Sequence, residues 1–579
     1  MTYSNALGSK LLASTLERLG VQCVFGLPGS QNLALYEAFR KSRIRTILTT
    51  NELAASFMAN GYFRGSGKIG VVVTIAGPGF TYALTGLAEA FLDSAAVLCV
   101  VGKAANSPGN RFQFQAIDQR SIAEPIVKKT YSVDNVSDLR PILIEAYFEA
   151  GQGEPGPVLV EVADSIFSQA APDLSEFPSF LTRQDPQPDP ELIKHSVQML
   201  QTSKRVVLYS GAGSFGASRQ LRALAELLVA PVLTTPSGRG VVPENHFLCF
   251  LFDSATGDVE VLNRFIDSCD LVIALGCKFS HNGSHGFRLR LPKEKLVHVD
   301  SSASVLGANY PAHLSVVSDV QAFLDSVLRH SNQIKLRSPG WTDLELKQWR
   351  EQIQQEHLSY GPEPKIKGID PSGALELFLA LREVMPPDAC LVTDSGLHQM
   401  VARKYYKVLE PRGLITPSDF QSMGFGLPAA IGAKLATPER TVAVVMGDGG
   451  FAICGMEMLT AVREKIQLTV LVFNDGKLGL IRLSQISSYG HSFATDLKNP
   501  DFSMFAKAVG AHYFRMAGDP REILRRCLET PGVTLLEVYL EDSPDFFKMR
   551  TKALIKKSVR NLVGPTVIQQ LKKWKSIID

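Results

Sequence analysis

The sequence predicts an α/β protein made of three doubly wound, parallel-sheet domains followed by a helical C-terminal tail. Three observations predict it. Short β-branched runs alternate with helix-length segments along most of the chain, a rhythm that favours parallel sheets over sandwiches or bundles. With 579 residues and 45% hydrophobic content, the chain can bury several cores at roughly one domain per 150 residues. Two polar, proline-containing stretches interrupt the alternation and leave three blocks.

The first block, residues 1–170, contains VQCVFG, TILTT, GVVVTI and AAVLCVVG, each followed by a loop or a helical pattern, and closes near GPVLVEVAD. The stretch SQAAPDLSEFPSFLTRQDPQPDP is rich in Pro, Asp and Ser and reads as a linker. The second block, residues 188–335, offers RVVLYS, PVLTT, LVIALG and LVHVD as buried strands, then fades into a polar segment from Ser331 to about Pro371. The third, residues 365–542, carries ACLVTDSG, RTVAVVMGDGG, QLTVLVFNDG and VTLLEVYL. In the tail, residues 543–579, nine Lys or Arg are interleaved with apolar positions at roughly helical spacing. It reads as a surface helix, a lid, or a helix lying on a membrane surface.

Composition narrows the function. Sixty basic and 57 acidic side chains nearly cancel, leaving a net charge of +3, so no global field points to nucleic acid or an anionic membrane. A small-molecule partner is expected. The eight cysteines are scattered, without a CxxC pair or zinc-like His spacing, and are expected to be reduced core residues. The N-terminus lacks an uninterrupted apolar signal region, and no stretch approaches the roughly 20 apolar residues of a membrane span. A cytoplasmic enzyme fits these features.

The most specific motif is Gly447-Asp448-Gly449 directly after the strand TVAVVM, followed by 24 residues and then Asn474-Asp475 at the end of LTVLVF. An acidic residue thus stands at each strand's carboxyl tip, where ligands of open α/β sheets bind. Two carboxylates and a backbone carbonyl suit a hard octahedral ion such as Mg²⁺, which can bridge protein to a diphosphate. The flanking glycines let the backbone approach phosphate oxygens, and a helix N-terminus adds partial positive charge. Asp448 alone reads equally well as an Asp-Gly turn, whereas the pair at this spacing reads as a metal and diphosphate site.

GDG, 24 residues and ND resembles the signature of thiamine-diphosphate-dependent enzymes, usually written GDG followed by NN. The resemblance extends over nearly the whole chain and is to the acetohydroxyacid (acetolactate) synthase plan. It implies a pyrimidine-binding, a central and a diphosphate-binding domain, with Asp448, Asp475 and the main chain of Lys477 as metal ligands. Asp at the second NN position departs from the pattern but keeps an oxygen donor. In Asn51-Glu52-Leu53-Ala54, a carboxyl group sits where a helix begins, a place the macrodipole alone could explain. By resemblance Glu52 is the activating glutamate, sharing a proton with the cofactor's aminopyrimidine. Burial there should raise its pKa.

Further segments resemble the same family. Gly77-Pro78-Gly79 and Phe114-Gln115-Ala116-Ile117-Asp118 look like synthase counterparts in which the Gln lies near bound substrate. Asp394 to Met400 and Ser422 to Gly426 look like the loops around the thiazolium, with Met423 as the bulky wedge. The resemblance therefore implies cofactor contacts at Pro28, Gly29, Gly77, Asp394, Gly396, His398, Gln399, Met423, Gly447, Gly449 and Gly450, and catalytic roles for Glu52 and Gln115. The loop Lys103 to Pro108 lacks the histidine pair common in simple 2-oxo acid decarboxylases, which favours carboligation over aldehyde release.

Gly211-Ala212-Gly213-Ser214-Phe215-Gly216 satisfies GxGxxG after a strand, yet no acid follows about 20 residues on to hold a ribose, so a nicotinamide site is disfavoured. FAD-containing synthases resemble GARFDDR where this chain reads GCKFSHNG, and the loss of both acids and the arginine makes FAD the less favoured state. Asn282 stands at the arginine position that holds the acceptor's carboxylate in branched-chain synthases, and Ser484 at a tryptophan position that selects 2-oxobutyrate. Lys278 and Arg482, near these positions, are candidates to pair with an anionic acceptor, although plain surface charge is the more favoured reading.

The expectation is an enzyme that uses thiamine diphosphate and Mg²⁺ to decarboxylate a 2-oxo acid, pyruvate first, and joins what remains to a second carbonyl. The alternatives are a non-ligating decarboxylase and an inactive binding or regulatory homologue. A homodimer or homotetramer with sites at the subunit interface is implied.

Overall fold

The computed structural model describes residues 7–104, 111–171, 185–253, 257–334, 340–359, 361, 364–369 and 373–541. The tail and residues 105–108 of the histidine-free loop lie outside the described residues. Three sheets follow one another along the chain, each flanked by helices.

The first sheet contains β1 (Cys23–Gly26), β2 (Arg45–Leu48), β3 (Gly70–Thr74), β4 (Val97–Lys103), β5 (Lys129–Val133) and β6 (Pro157–Ala163), in the order β2-β1-β3-β4-β6-β5. The second contains β7 (Val206–Ser210), β8 (Val232–Thr234), β9 (Leu271–Leu275), β10 (Leu296–Asp300) and β11 (Leu314–Val317), in the order β11-β10-β9-β7-β8. The third contains β12 (Lys365–Ile366), β13 (Cys390–Thr393), β14 (Leu414–Ile415), β15 (Val442–Gly447), β16 (Leu468–Asn474), β17 (His512–Arg515) and β18 (Val533–Glu541). Its path runs β12-β18-β16-β15-β13-β14, with β17 beside β18. All neighbours are parallel except β12 and β18.

The central strands are apolar because both faces are covered: β3, β7, β9 and β13 are buried throughout. Burying one such Val, Leu or Ile contributes roughly 1.5–3 kcal/mol, which outweighs the propensity of any single residue. Strands absent from the sequence expectation (β5, β11, β12, β14 and β17) all lie at sheet edges, where one neighbour is missing. There the run is short or alternately exposed, as in the pattern of β11. All eight cysteines are buried and unbridged, as expected. Among the described residues, no helix is long and apolar enough to cross a membrane.

The first and third sheets share a core. The helices Glu52–Ser66 and Gly426–Ala436 cross so closely that a Cβ on Gly61 would lie 2.1 Å from the Ala429 carbonyl oxygen, and one on Gly432 1.9 Å from that of Met58. Small residues make that approach possible, and Phe57 meets Phe425 edge to face at 5.4 Å between ring centres. Glu52 is the first residue of one of these helices, so this crossing sets where its carboxyl stands relative to the third sheet.

Candidate functional site

Parallel strands deliver their following loops to one edge, and the implied site residues fall into two groups on that principle. Pro28 and Gly29 follow β1, Glu52 follows β2, Gly77 follows β3, and Gln115 lies in the connection after β4. Asp394 follows β13, Asp448 and the adjoining glycines follow β15, and Asp475 and Lys477 follow β16.

In the third sheet, Gly396, His398, Met423, Gly447, Asp448, Gly449, Gly450, Asp475 and Lys477 all line one cavity of about 110 Å³. Asp448 opens a short helix, and its Oδ1 accepts from the Gly449 N–H at 2.9 Å. Its Oδ2 accepts from the Gly476 N–H at 2.8 Å and from Asn499 Nδ2 at 2.6 Å. Burial raises the pKa of Asp448, and burial together with neighbouring Asp448 pushes Asp475 up to about 6. A cation beside two desolvated carboxylates would offset both the burial and their mutual repulsion, and this pairing fits a divalent ion. Among the described residues no cluster of three or more His, Cys, Asp or Glu could hold a metal, so other donors would have to come from a backbone carbonyl and a bound phosphate.

Behind this cavity the loops are braced. Asp394 is fully buried, takes the Ser395 N–H at 2.6 Å and the Gly424 N–H at 3.0 Å, and is pushed up to about 7 by burial. It holds the backbone next to Met423. His398 Nε2 donates to the Asp394 carbonyl oxygen at 3.0 Å, and burial pulls its pKa down to about 4, so the ring is neutral. Gln399 does not line the cavity. Its Nε2 donates to Thr416 Oγ1 and the Pro417 carbonyl, both at 2.7 Å.

Glu52 is 9% exposed and lies beside Gly79, where a Cβ would come within 2.9 Å of Glu52 Oε1. Asn51 caps the helix by accepting the Ala54 N–H at 2.8 Å. Two effects oppose at Glu52: burial disfavours the carboxylate, while its own backbone N–H favours it. Burial wins and the pKa is raised, in the direction expected. Glu52 does not line the Asp448 cavity of its own chain. Two residues earlier, the Thr50 N–H and hydroxyl both donate to Glu457 Oε1, the former at 2.8 Å, which ties this helix start to the third sheet.

Around Gly77 and Gln115 the backbone is tight. Gly77 has φ 64° and Gln115 φ 57°, and a Cβ on Gly77 would lie 2.8 Å from the Gln115 carbonyl oxygen. The Gly29 N–H donates to Asn32 Oδ1 at 2.8 Å in the turn after β1.

Sequence reasoning missed Asn499 and Gln31, which touch these residues from loops without a motif, and Gln119, which does so from the start of the helix Gln119–Ala123. Lys278, weighed as an acceptor contact against surface charge, takes a third role. Rather than facing an acceptor, Lys278 Nζ donates to the Leu92 carbonyl at 2.6 Å, Ser94 Oγ at 2.9 Å and Glu154 at 3.1 Å, locking the second sheet to the first. Asn282 likewise binds the Ser418 carbonyl at 2.5 Å and Asp419 at 3.0 Å. Arg482 and Ser484 lie on the helix Gly479–Tyr489, whose Leu480 and Ile481 line the Asp448 cavity.

Comparison with known proteins agrees with this arrangement. Models of thiamine pyrophosphate enzymes match three stretches: the N-terminal TPP binding domain at residues 7–122, the central domain at 193–327 and the C-terminal TPP binding domain at 394–538. The chain is 32% identical over 549 residues to acetolactate synthase 2, chloroplastic, of Nicotiana tabacum, covering 92% of this chain and 82% of the relative. It is 32% identical over 549 residues to the chloroplastic acetolactate synthase of Arabidopsis thaliana, covering 92% and 81%. With the acetolactate synthase of Mycobacterium bovis it shares 31% over 523 residues, covering 87% and 82%.

Proposed function

Because this chain belongs to the thiamine pyrophosphate enzyme family, we propose that it is a carboligase that decarboxylates a 2-oxo acid and joins the remaining acyl unit to a second carbonyl compound. The observation that carries this reading is a buried Glu52 of raised pKa after β2 together with the desolvated Asp448 and Asp475 at the tips of β15 and β16. The relatives named acetolactate synthases support ligation, with pyruvate as the first donor to test.

In this reading Asp448, Asp475 and the Lys477 carbonyl hold Mg²⁺, and Gly447, Gly449 and Gly450 leave room for the diphosphate. Thiamine diphosphate supplies the electron sink for the pair left when CO₂ departs. Burial raises the Glu52 pKa and so favours the protonated carboxyl, which would share its proton with the aminopyrimidine. Met423, projecting into the cavity, supplies the bulk that orients the cofactor, while Gln115 meets the substrate. Since Glu52 and Asp448 do not share a cavity within one chain, we assign a complete site to two copies in a homodimer or homotetramer.

A flavin is the less favoured occupant of the central crevice, because GCKFSHNG lacks the acids and the arginine of the flavin-containing pattern. Lys278 and Asn282 line this crevice and are bonded to Glu154 and to the Ser418 carbonyl.

The test is product analysis after incubation with thiamine diphosphate, Mg²⁺ and pyruvate, with and without aldehydes and other 2-oxo acids. Acetolactate or a mixed acyloin that falls about 10²- to 10⁴-fold in Glu52→Gln supports the proposal. Acetaldehyde as the sole product in every mixture would replace ligation with simple decarboxylation.

A further inference from the structure

The carboxyl edge of the first sheet holds three linked glutamines. Buried Gln119 accepts the Gly77 N–H at 2.9 Å and donates to the Gly102 carbonyl at 3.0 Å and to Glu161 at 2.8 Å. It thereby holds Gly77 against Gln115. Gln115 itself sits in the left-handed region, which a non-glycine residue keeps only where its surroundings over-determine it. Gln31 supplies the remaining constraint: its Oε1 accepts the Ala76 N–H at 2.8 Å, and its Nε2 donates to Gln115 Oε1 at 3.0 Å.

The chemistry of these bonds sets the direction of every amide in the relay. A backbone N–H only donates, so the Gln31 atom facing Ala76 is the oxygen and the one facing Gln115 is the NH₂ group. The Gln115 atom that meets this donor is therefore its oxygen. With its oxygen taken by Gln31, the Gln115 amide has its NH₂ group left to donate to another partner. Gln31 also lines, with Arg111, Gln113 and Asp164, an open hollow of about 500 Å³ whose wall stops one residue short of Gln115, at Phe114.

We infer that Gln31 is a positioning residue that fixes the amide polarity of Gln115, so that Gln115 offers N–H donors to an oxygen of the substrate, the carboxylate of a 2-oxo acid. This rests on the carboligase reading above. Neither residue need move during turnover, because the relay is anchored to the main chain at Ala76 and Gly77.

The experiment compares holoenzyme kinetics with pyruvate for the wild type, Gln31→Glu, Gln31→Leu, Gln115→Leu and the double variant Gln31→Leu/Gln115→Leu. A carboxylate at position 31 still accepts the Ala76 N–H but repels Gln115 Oε1 and turns that amide round. Leucine only frees it. Gln31→Glu should therefore raise KM about tenfold or more, and further than Gln31→Leu does, with a smaller change in kcat and no loss of thermal midpoint or thiamine diphosphate affinity. In the Gln115→Leu background the Gln31→Leu substitution should add nothing. Additive effects, or leucine costing more than glutamate, would overturn the inference while leaving the carboligase reading intact. A wild-type enzyme that turns over no 2-oxo acid overturns both.

Discussion

Two glycine-rich turns follow buried strands in this chain, and they use glycine for opposite ends. In the turn after β7, a Cβ on Gly211 would lie 2.1 Å from the Gly276 carbonyl oxygen, and one on Gly213 2.8 Å from Gly276 Cα. The Gly213 N–H donates to that same carbonyl at 3.1 Å, so these glycines let two strand tips touch. In the turn after β15, a Cβ on Gly449 would meet only side-chain ends, Leu478 Cδ2 at 2.9 Å and Met423 Cε at 3.2 Å, across a cavity flanked by carboxylates. A glycine pattern therefore reports that the backbone needs room. The adjacent strand decides what takes it: Gly276 after β9 in the first case, Asp475 after β16 in the second.

The largest expected effect sharpens this contrast. Asp448→Asn should weaken Mg²⁺-dependent binding of thiamine diphosphate by about 100-fold or more, and Asn499→Ala, which removes an outer partner of Asp448, by about tenfold. Calorimetric titration reads both, and an Asp448→Asn protein with unchanged affinity would break the comparison. The paired glycine substitutions come next. Gly211→Ala should destabilise the fold by about 1–3 kcal/mol without changing cofactor affinity, because a methyl group there meets backbone. Gly449→Ala should do the reverse, leaving the urea midpoint nearly unchanged while affinity falls. Equal behaviour of the two variants would mean that the turns do the same job.

A smaller effect concerns the brace behind the Met423 wall. Glu89 accepts the Ser422 N–H at 2.8 Å, its other oxygen is buried without a partner, and Asp93 is close by. Burial, reinforced by Asp93, holds the Glu89 carboxyl well above the usual carboxylate range. The folded state then binds this proton more tightly than the unfolded chain, so stability is lost as pH rises from the usual carboxylate range through the folded pKa. Glu89→Gln removes that loss. Its thermal midpoint should gain on wild type between about pH 5 and about pH 9, by about 2 °C. A constant difference across that range would show that Glu89 does not titrate there. Last, the purified protein should show no visible flavin absorbance, since GCKFSHNG lacks the acids and the arginine of the flavin-containing pattern.

Much of this was legible in the chain itself. Gly447-Asp448-Gly449 and Asn474-Asp475 were readable because each acid directly follows a continuous apolar strand, and parallel strands send such residues to one edge. Glu52 was readable only through the family resemblance, since a glutamate at a helix start is explained equally well by the macrodipole; the upward direction of its pKa was expected from burial. The in-chain role of Lys278 was not legible because proximity in sequence to Asn282 says nothing about which way a four-carbon side chain turns once the second sheet meets the first.

By itself, then, the sequence determined the three parallel sheets, their buried central strands and the residues at their carboxyl tips, since period, β-branching and glycine placement act over a few neighbours. Only the tertiary structure decided the edge strands, the close crossing of the helices at Gly61 and Gly432, the Asn499 bond to Asp448 and the Gln31 bond to Gln115. Each of these joins residues far apart in the chain, and its energy exists only when packing has already brought both sides together.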